Sequence, residues 1–312
     1  MNIQDRHLRR WGRFLAAASM LMGVGALVVA LIAYPAVLVD DFALNLTGVL
    51  GVGLGAVTWV TIPNQPRNAA IWALAVSGFF ASLGTLGELT AILLTRRSIP
   101  GFTFDLLGDL TLSDLPSSAR WVITAYGWTW VPAYFVVLTL GFMLFPDGRA
   151  PSRRWRWLGW SSVVVIVITS AADAWQTHTS ELPIGEIFEG SSGIASQILG
   201  IGVLLLPLLA LLSVVALIVR YRHSRGVERR QIRWVAWGSL SMVLLLIAGL
   251  AAGTIISGSI EAADTVVDDV PVLIGRDDIQ RRITVEVGQR DVIRQQPDRE
   301  GAGRAKGAVA VV

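Results

Sequence analysis

Long apolar stretches with few charged residues alternate with short polar segments over the first 258 residues of the chain. Stretches of ~18 residues or more are long enough to cross a bilayer as helices, which satisfy their backbone polar groups within one segment. No period-two alternation runs through them, so a membrane barrel is excluded. The pattern predicts an all-α, polytopic integral membrane bundle with about seven transmembrane helices. The predicted spans are roughly 14–34, 43–62, 69–95, 120–145, 157–175, 195–219 and 232–258.

The segment 259–312 differs from this membrane domain of residues 1–258. It contains eight basic and ten acidic residues and no aromatic side chain. Such a composition favours disorder because it offers little apolar surface for a packed core. No stretch in it is long enough for another span. We therefore expect a charged, disordered tail that, after seven spans, lies on the side opposite the N-terminus.

The composition excludes several classes of site. The chain has no cysteine, so disulfides, thiol catalysis and thiolate metal sites are ruled out. Of the 26 basic residues, all except Lys306 are arginine, which is typical of a GC-rich bacterial genome. The net charge of +3 is explained by arginines in the loops, so we expect no nucleic-acid partner. We also expect no catalytic residue, cofactor or metal site.

The distribution of arginine and lysine predicts the orientation. The segments 1–13, 63–68, 146–156 and 220–233 together contain 15 basic residues, whereas 35–42, 96–120 and 173–194 contain three. Basic residues accumulate in cytoplasmic loops. We therefore expect a multi-pass protein of the bacterial plasma membrane with a cytoplasmic N-terminus.

Two of the predicted cytoplasmic segments have distinctive sequences. In the first, residues 145–149, Pro146 presets the second position of a tight turn and Gly148 follows. In the second, residues 226–234, Gly226 is suited to end the sixth helix. Taken alone, both are topogenic loops whose arginines and tryptophans anchor at anionic headgroups. The first comprises Phe145, Pro146, Asp147, Gly148 and Arg149, and the second comprises Gly226, Val227, Glu228, Arg229, Arg230, Gln231, Ile232, Arg233 and Trp234.

The two segments resemble, in wording, order and separation, the N-terminal membrane sensor region of actinobacterial-type two-component sensor histidine kinases. In those proteins a span often ends in a phrase like FPDGRxPxxRWR, and a later loop reads like GVERQQIRW. The resemblance covers roughly residues 10–255. It implies a sensory or signal-input module that acts through a separate signalling partner.

The resemblance does not extend to the kinase part. A kinase of this group continues into a dimerisation domain with a phosphoaccepting histidine and an ATP-binding domain, which need well over the 54 residues that follow Gly258. None of His7, His178 and His223 lies in a phosphoacceptor-like motif. We therefore expect no enzymatic activity. A truncated or frameshifted kinase product and a small transporter or channel subunit are the alternatives.

Four residues are candidates for sensing. Glu88 lies within the third span, where an acidic group is costly to bury and often functional. Asp173, His178 and Glu181 lie at or beyond the outer end of the fifth span, where they are suited to bind a cation or respond to pH. A snorkelling Glu88 and a merely solvated acidic loop explain the same residues without any function.

Small residues spaced four apart predict close helix packing. They occur as Gly51 with Gly55 and as Gly249 with Gly253. Packing within the bundle and a homodimer seam are both consistent with this spacing. Besides these, the lipid bilayer is the expected partner of the chain.

Overall fold

A computed structural model describes residues 3–33, 42–99, 102, 110–179 and 193–237. All of them belong to the compact unit Met1–Gly238. The predicted seventh span beyond residue 237, the predicted tail, the Gly249 and Gly253 pair, and Glu181 lie outside the described residues.

The described residues form seven helices and no β-strand. These are α1 Ile3–Ala33, α2 Phe42–Thr61, α3 Ala69–Ser98, α4 Ser117–Leu144, α5 Trp155–Thr179, α6 Ile194–His223 and α7 226–237. Five of them, α1 and α3 to α6, are long and apolar enough to cross a membrane. The 20-residue α2 adds a shorter apolar stretch, Leu46–Thr61. The predicted all-α membrane bundle is confirmed, and the chain is a multi-pass membrane protein.

Several helices extend beyond the predicted spans. The first helix begins at Ile3 instead of residue 14 and includes four arginines, and α6 continues through Arg220 to His223. Hydropathy locates the part of a helix that suits lipid, whereas the helix itself continues into water where charged residues are tolerated. The start of α3 agrees with the prediction, because Asn68 caps it by accepting a hydrogen bond from the amide of Ala70 at 2.9 Å.

The fourth span is irregular along its length. A 3₁₀ turn at Gly127–Thr129 and a π-helical turn at Val136–Gly141 flank a short α-helical piece that contains Pro132. Proline has no amide hydrogen to donate and its ring crowds the preceding turn, so it disturbs regular helical hydrogen bonding. Such turns also redirect the side chains that follow them.

The third helix is central in the bundle. It packs against α1 and α2 on one side and against α4 on the other, while α5 packs against α4 and α6. Gly51 faces Ser82 of α3, and a side chain at Gly55 would lie 3.0 Å from the carbonyl oxygen of Ala16. Ser19 donates a hydrogen bond of 2.7 Å to the Gly51 carbonyl. The spacing of Gly51 and Gly55 therefore serves packing within the bundle.

Large apolar side chains cover the outside of the helices. Leu21 is 74% exposed, Leu204 is 77% exposed and Leu211 is 64% exposed. A continuous apolar exterior of this kind suits acyl chains and is uncommon on proteins that face water.

Candidate functional site

The arginine-rich segments lie together at one end of the bundle. Arg67 pairs with Asp5 at 2.7 Å, and the side-chain amide of Asn68 donates to the carbonyl oxygen of Pro146 at 2.8 Å. Arg220 pairs with Asp147 at 2.5 Å. The arginine-rich segments predicted to lie on one side of the membrane are therefore in contact with one another. We call this part, formed by residues 1–13, 63–68, 146–156 and 220–233, the arginine-rich end. Its assignment to the cytoplasm stays a prediction.

The two segments that carry the family resemblance are joined by one arginine that belongs to neither. The guanidinium of Arg220 pairs with Asp147, donates to the carboxylate of Glu228 at 3.0 Å, and donates to the main-chain carbonyl of Arg149 at 2.8 Å. Its side chain is only 12% exposed. A planar guanidinium holds several acceptors in fixed directions, which an ammonium group does not do. We call Arg220, Asp147, Arg149 and Glu228 the Arg220 node.

The turn of the first segment fits closely against the start of α3. Gly148 has a φ of +77°, and a Cβ there would lie 2.5 Å from the side-chain oxygen of Asn68. The main-chain amide of Arg149 donates to the Asp147 carboxylate at 3.0 Å, which closes the turn. Only glycine combines this backbone conformation with this lack of space. The turn and the Asn68 cap therefore form one unit.

The rest of the second segment faces outward. Gly226 has a φ of +61° at the junction between α6 and α7. The guanidinium of Arg229 lies 4.9 Å from the ring centre of Tyr221. The other members are exposed except for the buried Ile232: they are Val227, Arg230, Gln231, Arg233 and Trp234. Of this segment, only Glu228 takes part in the Arg220 node.

A cavity of about 520 Å³ lies between α3, α4 and α5, with Thr47 of α2 also in its wall. Most of its lining is apolar. Two carboxyl groups, those of Glu88 and Asp173, belong to the lining. We call it the acidic cavity, and its main residues are Phe80, Glu88, Tyr126, Trp130, Asp173 and Thr177.

The two carboxyl groups have different surroundings. Asp173 is 2% exposed and accepts a hydrogen bond of 2.7 Å from the indole nitrogen of Trp130. Glu88 is exposed on α3. Glu88 lies 19 residues after Ala69, the first residue of α3, and Asp173 lies 18 residues after Trp155, the first residue of α5. At 1.5 Å per residue both are roughly 28 Å from the arginine-rich end. The acidic cavity is therefore near the opposite end of the bundle.

Two of the four predicted sensing candidates thus meet in one cavity. The third, His178, is exposed five residues after Asp173 and does not line the cavity. The sequence placed Asp173 at the end of the fifth span, whereas α5 continues to Thr179 and keeps it inside the helix. Within the described ranges, no group of three or more His, Cys, Asp or Glu residues is arranged to hold a metal ion.

Close approach of α3 and α4 forms one wall of the cavity. A Cβ at Gly87 would lie 2.5 Å from the ring of Tyr126, so a side chain at this position would push the ring away. Tyr126 directly precedes the 3₁₀ turn, and Trp130 directly follows it. The irregular part of α4 thereby presents both rings to the same cavity.

No protein-family model matches the chain, and no match was found among curated proteins or solved structures. The features that bear on function are the Arg220 node, the acidic cavity and the two short segments that resemble sensor kinases.

Proposed function

We propose that the chain is a membrane signal-input module of the kind found in sensor histidine kinases. It couples the state of the acidic cavity to the arrangement of helix ends at the Arg220 node, and a separate signalling partner of a two-component type responds to that arrangement. The single observation that carries the proposal is that α3 and α4 both line the acidic cavity and both reach the arginine-rich end. There Asn68, the cap of α3, donates to Pro146, and Asp147, which follows α4, pairs with Arg220.

The contacts support a mechanical connection between the two ends. In the third helix, Glu88 lines the cavity and Asn68 caps the opposite end, where it holds the carbonyl of Pro146. In the fourth span, Trp130 lines the cavity, and Asp147 follows the other end and pairs with Arg220. A change in the spacing of these helices at the cavity would alter both bonds. A packed bundle transmits such shifts because its core does not deform freely.

The irregular turns of α4 connect the two sites. Gly127 and Thr129 of the 3₁₀ turn line the cavity, and the π-helical turn begins seven residues later, about two helical turns closer to the Arg220 node. Such turns are frequent at functional positions because they rearrange backbone hydrogen bonds without breaking the helix. They are the segment at which α4 is best able to change its pitch.

A cavity-filling substitution tests the coupling without knowledge of the stimulus. Spin labels are attached to Arg153→Cys and Arg230→Cys, two exposed positions at the arginine-rich end of a chain that has no cysteine. The large side chain of Val122→Trp should occupy part of the acidic cavity and shift the distance between the labels, measured by pulsed electron resonance in lipid nanodiscs. The control is Leu211→Trp, which adds the same ring at an exposed apolar position. Equal label distances in the parent, V122W and L211W would refute the coupling.

A small transporter or channel subunit is the second candidate. The acidic cavity favours it, because acidic groups inside a bundle also mark ion pathways. The two functions differ in transport: an input module changes its label distance without moving its ligand across the membrane. Uptake of a labelled ion into proteoliposomes that depends on Glu88 and Asp173 would favour the transporter.

A further inference from the structure

The acidic cavity has the size and the lining of a small-molecule site. Its volume of about 520 Å³ falls within the ~300–1,000 Å³ that is typical of ligand pockets. Such pockets combine apolar walls with a few polar groups that fix the orientation of the ligand. Here the apolar walls include Phe80 and Ile92, and the polar groups include Thr177 and the two carboxyls.

The acidic side chains of the lining favour a ligand of positive charge. Among the described residues that line the cavity, Glu88 and Asp173 are the two with acidic side chains. No lysine, arginine or histidine is among the described residues that line the cavity. An anion would meet like charge in surroundings of low dielectric constant, whereas a cation would meet two complementary groups.

The walls select the kind of cation. A metal ion such as Ca²⁺ is strongly hydrated and takes six to eight oxygen ligands, whereas most of the described lining of the cavity is apolar. An organic cation with an apolar body is weakly hydrated and suits apolar walls. Aromatic faces also attract such cations, and the rings of Phe80, Tyr126 and Trp130 line the same space.

We propose that the acidic cavity binds a lipophilic organic cation, an onium or amine group on an aromatic or aliphatic body, which Glu88, Asp173 and the three rings recognise. Asp173 also fixes the Trp130 ring through the 2.7 Å hydrogen bond. The site stands on the cavity alone. Its role as the stimulus of the signal-input module rests on the function proposed above.

Two ions of the same shape and opposite charge test the site. Radiolabelled tetraphenylphosphonium and radiolabelled tetraphenylborate are equilibrated in separate samples with the full chain in lipid nanodiscs, because the two ions would pair with each other in one sample. We expect saturable binding of one phosphonium per chain and no saturable binding of the borate. Uptake that rises without saturation, or equal binding of both ions, would show partition into lipid or onto the apolar exterior and would overturn the proposal.

Charge-removing substitutions locate the binding. Glu88→Gln should weaken phosphonium binding about tenfold, and combination with Asp173→Asn should weaken it further. Asn at position 173 keeps an oxygen acceptor for the indole nitrogen of Trp130, so the substitution changes the charge and not the position of the ring. Asp114→Asn is the matched control, because it removes an acidic side chain that is exposed outside the cavity, where hydrogen bonds from Thr111 hold the pKa of Asp114 below its ordinary value. Because Glu88 is exposed, E88Q should leave folding unchanged. Its effect on binding can therefore be measured even if D173N lowers the yield of folded protein. Equal affinity of E88Q and D114N would overturn the assignment.

The same experiment separates the site from its role. Saturable phosphonium binding that leaves the distance between labels at residues 153 and 230 unchanged would support the binding site but refute the proposal that its ligand is the stimulus. A label distance that responds to V122W in a protein that binds no phosphonium would retain the signal-input function and refute the site.

Discussion

Replacement of Arg220 by glutamine should loosen the arginine-rich end without removing any helix. The substitution keeps a polar side chain of moderate length but removes the charge and the fork of donors. Asp147 and Glu228 would then lose their common partner, and the carbonyl of Arg149 would lose its donor. Because these bonds join the turn after α4 to the junction of α6 and α7, both segments should open more often.

The expected size follows from the exposure of the partners. Hydrogen bonds to charged groups contribute ~1.5–3 kcal/mol when they are buried. Asp147 is 49% exposed and Glu228 is 40% exposed, so water replaces much of what they lose. At ~0.5–1 kcal/mol for each of the three bonds, the loss is about 2 kcal/mol. Such a loss increases the population of locally open molecules roughly thirtyfold.

Hydrogen exchange followed by mass spectrometry measures this opening. The amide of Gly148 donates to the carbonyl of Leu144 at 2.8 Å, and its protection reports on the turn. In R220Q, peptides that cover residues 145–149 should exchange roughly thirtyfold faster, while peptides from α1 should be unchanged. Arg222→Gln is the control, because Arg222 is an exposed arginine two residues after Arg220. Exchange of residues 145–149 that is no faster in R220Q than in R222Q would refute the stabilising role of Arg220.

Two further predictions concern packing and orientation. Gly87→Ala should lower the free energy of unfolding by ~1–3 kcal/mol, because its Cβ would overlap the Tyr126 ring, and the loss should appear as a lower melting temperature in detergent. Gly53→Ala is its control. A Cβ at Gly53 would have no neighbouring atom within 4 Å, so this substitution should leave the free energy of unfolding unchanged or raise it by up to ~1 kcal/mol. Single cysteines at Arg153 and Thr179, both exposed, should react with an impermeant maleimide from opposite sides of the membrane, Thr179→Cys from outside the cell. Labelling of Thr179→Cys from the cytoplasm would reverse the predicted orientation.

Hydropathy was sufficient to locate the helices because lipid imposes a minimum length and an apolar composition on each one. The predicted spans from 14–34 to 195–219 each fall largely within a described helix. Their ends were less accurate, because an arginine such as Arg220 continues a helix into water as readily as it begins a loop. The interruptions inside α4 were also missed, since Pro132 indicates a disturbance but not which turn will absorb it.

The candidate sites show what spacing along one chain does not reveal. Glu88 and Asp173 were each identified, but their common cavity depends on how α3 and α5 pack, which no local pattern encodes. Arg220 was counted only as a topogenic charge, although it makes three bonds in the Arg220 node. Asn68 was missed as well, and its position directly before an apolar stretch was a helix-cap signal that sequence reasoning can use.

The bond between Asn68 and Pro146 also has a consequence for biosynthesis. Its partners are 78 residues apart in the sequence. At ~5–20 residues per second, the ribosome makes the second partner roughly 4–16 s after the first. Until α4 has been made within this interval, α1, α2 and α3 have only their own contacts, such as Ser19 with Gly51, to hold them together. A nascent chain that stops before residue 228 leaves Arg220 with one carboxylate of its pair, so the arginine-rich end is the last part of the described structure to be completed.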